Sequence, residues 1–270
     1  MTHSAEIYIP ASETEKYFMR SIWRLQGFYQ QKQTETILPK GTVELIFNLS
    51  DKITYLNPGV GVRTTLPNSF INGINFKPFR LLKKGQQLFL GIQLNVISLK
   101  ALFNIPAKEF NDAVVESSLI CKSLDGLHLQ LFFEKSFKAQ VKIIKKWLYH
   151  KISISKHFST IQKIHNWFYC QNISALKVKE LSNKVCISQR QLRRLSTEWL
   201  GMNTETFILY NKYVSSLKLL HNSDLSLTQI GIEAGYYDQS HFIREFKSYT
   251  NITPKEYQLS VKGIPGHIFE

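Results

Sequence analysis

Between residues 21 and 95 the apolar positions fall in short runs rich in β-branched and aromatic side chains. "TVELIFNLS" (42–50) and "QLFLGIQLN" (87–95) are two such runs and predict strands. "LPKG" (38–41), "NPG" (57–59) and "LKKG" (82–85) predict the turns between strands, with Pro presetting φ and Gly accepting unusual backbone angles. Upstream, Ser12 and Glu15 make a capping-box pattern after Pro10 and predict a short helix. From residue 96 the period lengthens. "VISLKALFNIP" has apolar residues at 96, 97, 99, 102, 103 and 105 and predicts a helix ended by Pro106. "LHLQLFFEKSFKAQVKIIKKWLYH" (127–150) predicts one long amphipathic helix. Its apolar face holds Phe133, Phe137, Val141, Ile144 and Leu148, and Lys135, Lys138, Lys142, Lys145 and Lys146 lie on its other sides, a face read as solvated with a partner surface as the alternative. "SISKHF" (153–158) reads as a linker before a further helix to about 170.

The last section, about 174–258, contains a repeat. "VKELSNKVCISQRQLRRLSTEWLG" (178–201) and "LTQIGIEAGYYDQSHFIREFKSYTN" (227–251) each show a short amphipathic helix, a tight break and a second helix. Leu181 with Val185, and Ile230 with Ala234, form the inner faces of the first helices. Gly235 suits the left-handed end of one helix, and Ser188 and Asp238 suit the N-caps of the next. This is a helix-turn-helix pattern. In the first unit Leu192, Leu195 and Trp199 make the core stripe, leaving Gln189, Arg190, Arg193 and Arg194 outside it. Three arginines at i, i+3 and i+4 repel one another on one face, a cost that an external polyanion would offset. In the second unit Phe242, Phe246 and Tyr249 are the stripe, and Gln239, Ser240, Ile243, Arg244 and Lys247 lie outside.

Composition narrows the classes. A chain of 270 residues with 43% hydrophobic and 13% aromatic residues can fill two domains. The formal charge of +14 favours an anionic partner, nucleic acid before membrane. Residues 174–258 hold 11 basic and 8 acidic side chains, so most of the excess lies elsewhere and the functional reading rests on the motif. Cys121, Cys170 and Cys186 are odd in number and form no C-x-x-C pair, which predicts reduced thiols in a cytoplasmic protein. Neither a signal peptide nor a stretch of about 18 apolar residues is present, so no membrane partner is expected.

The chain has no H-E-x-x-H, no Cys/His zinc spacing, no G-x-S-x-G and no P-loop, and residues 21–95 contain no histidine. No catalytic residue, metal or cofactor is expected. Asp238, Ser240 and His241 have the side-chain types of a hydrolase triad, but neighbours at one helix start project about 100° apart and cannot form one. Glu44 with Asn48, and Asn72 with Asn75, read as edge or turn residues, with a pocket lining as the alternative.

The run "IGIEAGYYDQSHFIREFKSYTNITPKEY" resembles the signature of the AraC/XylS family of bacterial transcription regulators, over roughly 174–258. "FILYNKYVSSLKLL" (207–220) resembles the family's connecting helix. Lys212, Ser216, Gly231, Leu195 with Ser196, and Asn251 depart from the family pattern. "LPKGTVELIFNLSD" (38–51) and "LGIQLNVISLKALFNIPAKEFND" (90–112) resemble an N-terminal domain found in some members, β-rich and of unassigned ligand. The resemblance implies two recognition helices, about 188–199 and 238–249, in successive major-groove segments. It carries DNA contact to Gln189, Arg190, Arg193 and Arg194 in the first and to Gln239, Ser240, Arg244 and Lys247 in the second.

The expected fold is α+β. A barrel-like, possibly cupin-like, β-rich sensory or dimerisation domain with helical extension (1–152) leads through a linker and helix (153–173) to an all-α double helix-turn-helix domain (174–260) and a tail (261–270). The expected function is sequence-specific DNA-binding transcriptional regulation, under control of a ligand or of dimerisation. The alternatives are a DNA-binding regulator with no small-molecule effector and, last, a barrel-type enzyme. Double-stranded DNA is the expected partner; RNA polymerase, an unidentified effector and a second copy of the chain are further candidates.

Overall fold

The computed structural model describes residues 4–56, 63–169, 173–260 and 264–269, so the expected "NPG" turn and Cys170 lie outside the described residues. The elements of the N-terminal half are β1 (Ser4–Tyr8), α1 (Glu13–Phe18), β2 (Met19–Ile37), β3 (Val43–Asn48), β4 (Thr54–Leu56), β5 (Arg63–Thr65), β6 (Ser69–Asn72), β7 (Phe79–Leu94), α2 (Ser98–Phe103), β8 (Val114–Glu116), α3 (Ser117–Ile120), α4 (Ser123–Phe133), α5 (Phe137–Ser153) and α6 (Phe158–Phe168). The C-terminal half is helical, with α7 (Val178–Lys184), α8 (Gln189–Leu200), α9 (Thr204–Asn222), α10 (Leu227–Glu233), α11 (Gln239–Thr250) and α12 (Pro254–Ser260), followed by β9 (His267–Phe269).

The strands form one antiparallel sheet in the order β1-β2-β7-β3-β6-β8, with β4 on β7, β5 on β4 and β9 on β2. The path ends on β1 and β8 without joining them, so the sheet is not closed into the expected barrel. The long strands β2 and β7 make this possible, because each serves two neighbours along one edge. β3 lies beside Phe89–Leu94 and β4 beside Arg80–Leu82 of β7. β1 lies beside Ile22–Gln26 and β9 beside Glu35–Ile37 of β2.

The expected "LKKG" turn is instead an irregularity inside β7. Pairing slips between Tyr29↔Gly85 and Gln33↔Lys83, and Gly85 takes φ +75°. Glycine suits this place, since φ is positive and a Cβ would stand 2.3 Å from Asp51 Oδ2, which accepts the Gln86 amide at 2.9 Å.

Alternation along the strands separates two apolar regions. Val43, Leu45, Phe47, Ile71, Leu90, Ile92 and Leu94 face the main core with the helices. Their neighbours Ile46, Phe70 and Phe89 face the other way, into a smaller cluster with Ile53, Tyr55, Leu66 and Phe79.

The helical region departs from expectation in three places. α2 ends on Asn104 in the left-handed conformation (φ 58°), two residues before Pro106. The helix expected over 127–150 is two helices, α4 and α5, broken at 134–136. Glu134 is extended, its carboxylate accepts the Ser136 amide at 2.8 Å, and the buried Gln140 amide donates to the Leu131 and Glu134 carbonyls at 3.1 and 2.9 Å. The break satisfies the end of α4 and leaves Phe133, expected on the apolar face, 75% exposed. Lys145, expected on a solvated side, reaches the fully buried Glu15 at 2.8 Å. Burial alone would raise the Glu15 carboxyl, but hydrogen bonds from Lys145, Tyr8 and Tyr149 outweigh it and lower the pKa. Glu15 therefore does not complete a capping box, although its amide does bond to Ser12 Oγ at 3.2 Å.

The halves share a packed interface centred on α9. Tyr210 Oη donates to the Asn75 carbonyl at 2.7 Å and accepts the Gly41 amide at 3.1 Å. Tyr213 Oη donates to the Pro39 carbonyl at 2.8 Å.

Candidate nucleic-acid interface and a cavity in the sheet

The two helix-turn-helix units agree down to single hydrogen bonds. In the second, the Gly235 amide bonds to the Ile232 carbonyl and the Tyr236 amide to the Gly231 carbonyl, each at 2.9 Å, with Gly235 at φ +86°. In the first, Cys186 bonds to Asn183 at 3.3 Å and Ile187 to Ser182 at 3.2 Å, with Cys186 at φ +55°. Both are Schellman closures, one built on glycine and the other on cysteine. Each following helix is capped: Ser188 Oγ accepts the Gln191 amide at 3.2 Å, and Asp238 Oδ1 accepts the His241 amide at 2.7 Å. The Asp238 carboxylate thus takes the His241 backbone, while the His241 ring packs edge-on against Tyr236 at 5.3 Å. No triad is formed.

The stripes face inward: Leu192, Trp199, Phe242 and Phe246 are at most 2% exposed. Arg190, Arg193, Arg194, Ser240, Arg244 and Lys247 are exposed, and Gln189 and Gln239 are half-buried. On α11, Ser240, Ile243, Arg244, Lys247 and Ser248 line a shallow surface depression. Lys212 of α9 donates to the Gly235 carbonyl, fixing the second turn to the connecting helix.

Two partners escaped sequence reasoning. Glu205, in the first turn of α9, holds Arg193 through Nε at 2.7 Å and Nη2 at 2.5 Å. Thr228 Oγ1 donates to Gln239 Oε1 at 3.1 Å. An acid in a first helical turn is ordinarily explained by the helix dipole, so nothing in the sequence pointed from Glu205 to Arg193. The sheet domain also grips the far ends of both helices. Lys100 pairs with Glu198 at 2.7 Å and Asn111 Nδ2 donates to the Gly201 carbonyl at 2.8 Å, while Lys77 Nζ donates to the Ser248 carbonyl at 2.9 Å.

The second face of the sheet lines a partly open cavity of about 440 Å³. Its floor follows from register. Ser21, Gln93, Glu44 and Asn72 are successive cross-strand partners on β2, β7, β3 and β6, and all four line it. Trp23, Gly91, Ile46 and Phe70 form the next row. Gly91 makes room for the Trp23 ring, which a Cβ would meet at 2.3 Å. Glu44 and Asn72 are therefore pocket residues, not the edge or turn residues expected. Asn48 does serve a turn, accepting the Ser50 amide at 3.1 Å, and Asn75 Nδ2 donates to Asn72 Oδ1 at 3.1 Å. The lining also includes Lys40, Glu35, Lys83 and His267, and Lys40 Nζ lies 3.9 Å from Glu44 Oε2 of that strip. Among the described residues no group of three or more His, Cys, Asp or Glu side chains could hold a metal, and no helix is long and apolar enough to cross a membrane.

Residues 181–260 match the family described as "Helix-turn-helix domain", and residues 8–116 match "Domain of unknown function (DUF6597)". The HTH-type transcriptional regulator ArgR of Pseudomonas aeruginosa is 27% identical over 95 residues, 35% of this chain and 28% of that protein. The HTH-type transcriptional activator FapR of Escherichia coli is 31% identical over 87 residues, 32% of this chain and 33% of that one. The match thus spans about a third or less of the length of these relatives. Among solved structures, ToxT from Vibrio cholerae is 14% identical with a TM-score of 0.48, covering 97% of this chain and 99% of that one. Residues 181–260 carry a helix-turn-helix domain, behind an N-terminal sheet domain that matches a family of no assigned function.

Proposed function

We propose that the chain is a sequence-specific transcription regulator that binds double-stranded DNA through α8 and α11. One observation carries the reading: the same capped, Schellman-closed unit occurs twice, and each time it turns a basic and amide-bearing face to solvent. Arg190, Arg193 and Arg194 supply the cations of the first face. Gln239, Ser240, Arg244 and Lys247 make the second, with Gln189 at the start of α8. Arginine and glutamine are competent readers of guanine and adenine edges, and the remaining cations suit phosphates. The regulators named among the relatives support the same reading.

The sheet domain is proposed to control this activity through a ligand. Its cavity suits a small amphipathic molecule, with apolar walls and a strip of Ser21, Gln93, Glu44 and Asn72 for a polar head.

Selection of bound sequences from random duplex DNA tests the main proposal. Wild type is expected to enrich a defined site with affinity falling steeply with salt. Combined Arg193→Ala and Arg194→Ala is expected to remove binding while the melting curve is kept. A double variant that retains the selected site as well as wild type overturns the assignment.

A further inference from the structure

The chain does not end its structural role at the last helix of the DNA-binding domain. Residues 264–269 lie at the sheet. Gly266, at φ +75°, lies against Lys40, and its amide bonds to Tyr257 Oη at 2.9 Å while its carbonyl accepts the Leu38 amide at 2.8 Å. β9 then pairs with β2 through Ile37↔His267, Thr36↔Ile268 and Glu35↔Phe269.

This short edge strand has one deep anchor. His267 Nδ1 lies 2.6 Å from Glu35 Oε1, and Nε2 lies 3.1 Å from Lys40 Nζ. An ammonium can only donate, so Nε2 accepts and the Nδ1 proton goes to Glu35. Lys83 pairs with the other Glu35 oxygen. The resulting chain runs from Lys40 through neutral His267 to Glu35, with Lys83 closing it. All four side chains line the cavity, and Glu35 and Lys83 are at most 5% exposed. Apart from this anchor the strand is short, holding three pairs with β2 and resting Ile268 against the edge of the main core, and none of its residues is fully buried. Its root is the opposite. Tyr257 is fully buried and packs against Phe246 of α11, with ring centroids 5.9 Å apart.

We propose that residues 264–269 are a detachable strap through which the second recognition helix reads the state of the cavity. This rests on the DNA-binding, ligand-controlled reading above. The strap is docked while Lys40 and Glu35 are free to hold His267. A molecule that enters the cavity and engages either of them releases the strap, and the change reaches α11 through Gly266, Tyr257 and Phe246. The docked state is taken as the DNA-competent one: in it Arg190, Arg193, Arg194, Ser240, Arg244 and Lys247 are exposed.

The test uses the full chain and a duplex obtained by selection. His267→Ala removes the anchor, His267→Gln keeps a donor for Glu35 and an acceptor for Lys40, and a chain stopped after Ser260 lacks the strap. Amide exchange at Leu38 reports docking, and DNA affinity reports coupling. His267→Ala is expected to expose the Leu38 amide and weaken DNA binding by about fivefold or more, the low end of ordinary allosteric coupling. The stopped chain should match it, and His267→Gln should restore both readouts. Faster exchange at Leu38 with unchanged affinity overturns the proposal and leaves β9 as a structural strand. If the stopped chain fails to fold, the Ala and Gln pair alone decides. Failure of wild type to enrich any DNA overturns the DNA-binding reading itself, and the strap with it.

Discussion

Arg193 on α8 and Glu205 on α9 form a two-nitrogen ion pair at 2.7 and 2.5 Å, on the face proposed to meet DNA. The pair is half exposed, at 50% and 43%, so solvent screens it and little stability depends on it. Its consequence lies in competition, because a phosphate or guanine must take Arg193 from Glu205. Glu205→Gln is expected to tighten DNA binding by up to about fivefold, the ceiling for an exposed pair, and to leave the melting temperature unchanged. A titration at fixed salt checks this, and equal or weaker binding would show that the pair orients Arg193 rather than withholding it.

Gly91 faces the Trp23 ring across one row of the cavity floor. Gly91→Ala places a methyl group 2.3 Å from that ring, and the indole has to swing into the cavity. The expected cost is about 1–3 kcal/mol of stability. Denaturant unfolding with Trp fluorescence measures both the loss and the altered indole environment.

The Lys40–His267–Glu35–Lys83 chain makes stability depend on acid. Burial pushes the Glu35 carboxyl up, but the His267 hydrogen bond and the Lys83 charge outweigh it and hold it at about 2, below the ordinary 4.5. Burial, reinforced by Lys40, lowers the His267 ring below 6.5. Both groups bind protons less readily folded than unfolded, so their contribution is complete above about 6.5 and is lost as pH falls. His267 gives way first, and Glu35 follows between 4.5 and about 2, at a cost on the order of 3 kcal/mol. Unfolding free energies of wild type and His267→Gln across pH 7 to 5 test the first stage. Wild type should lose more, and parallel curves would refute it.

Cys186 occupies a left-handed position that its counterpart fills with Gly235. A side chain there costs about 1–2 kcal/mol, part of which is returned by the smaller entropy of the unfolded chain relative to glycine. Cys186→Gly is therefore expected to stabilise the domain by roughly 0.5–1 kcal/mol, measured by thermal melting.

The helix-turn-helix units were legible because their signals are local. Ser188, Asp238 and Gly235 act within four residues of themselves, and the stripes at 192, 195 and 199 and at 242, 246 and 249 repeat at helical spacing. The break at 134–136 was not legible, because apolar periodicity continues through it and the deciding contact is a Gln140 side chain capping a helix that ended earlier. The cavity strip was hidden for another reason. Ser21, Gln93, Glu44 and Asn72 are scattered along the chain and become neighbours only through strand register. β9 is too short for any periodicity to mark it.

The Tyr210 hydroxyl, bonded to Gly41 on one side and Asn75 on the other, bears on how this architecture can be recombined. α9 is the spine of the helical half and also a wall of the sheet half, so the two are separate in sequence but not in surface. A helical domain cut away at the linker would bare Tyr210 and Tyr213, both within 2% of full burial. Transplanting it onto another N-terminal domain would require matching loops at 38–41 and 73–76. The two halves are expected to have exchanged partners through descent only when those loops travelled with them.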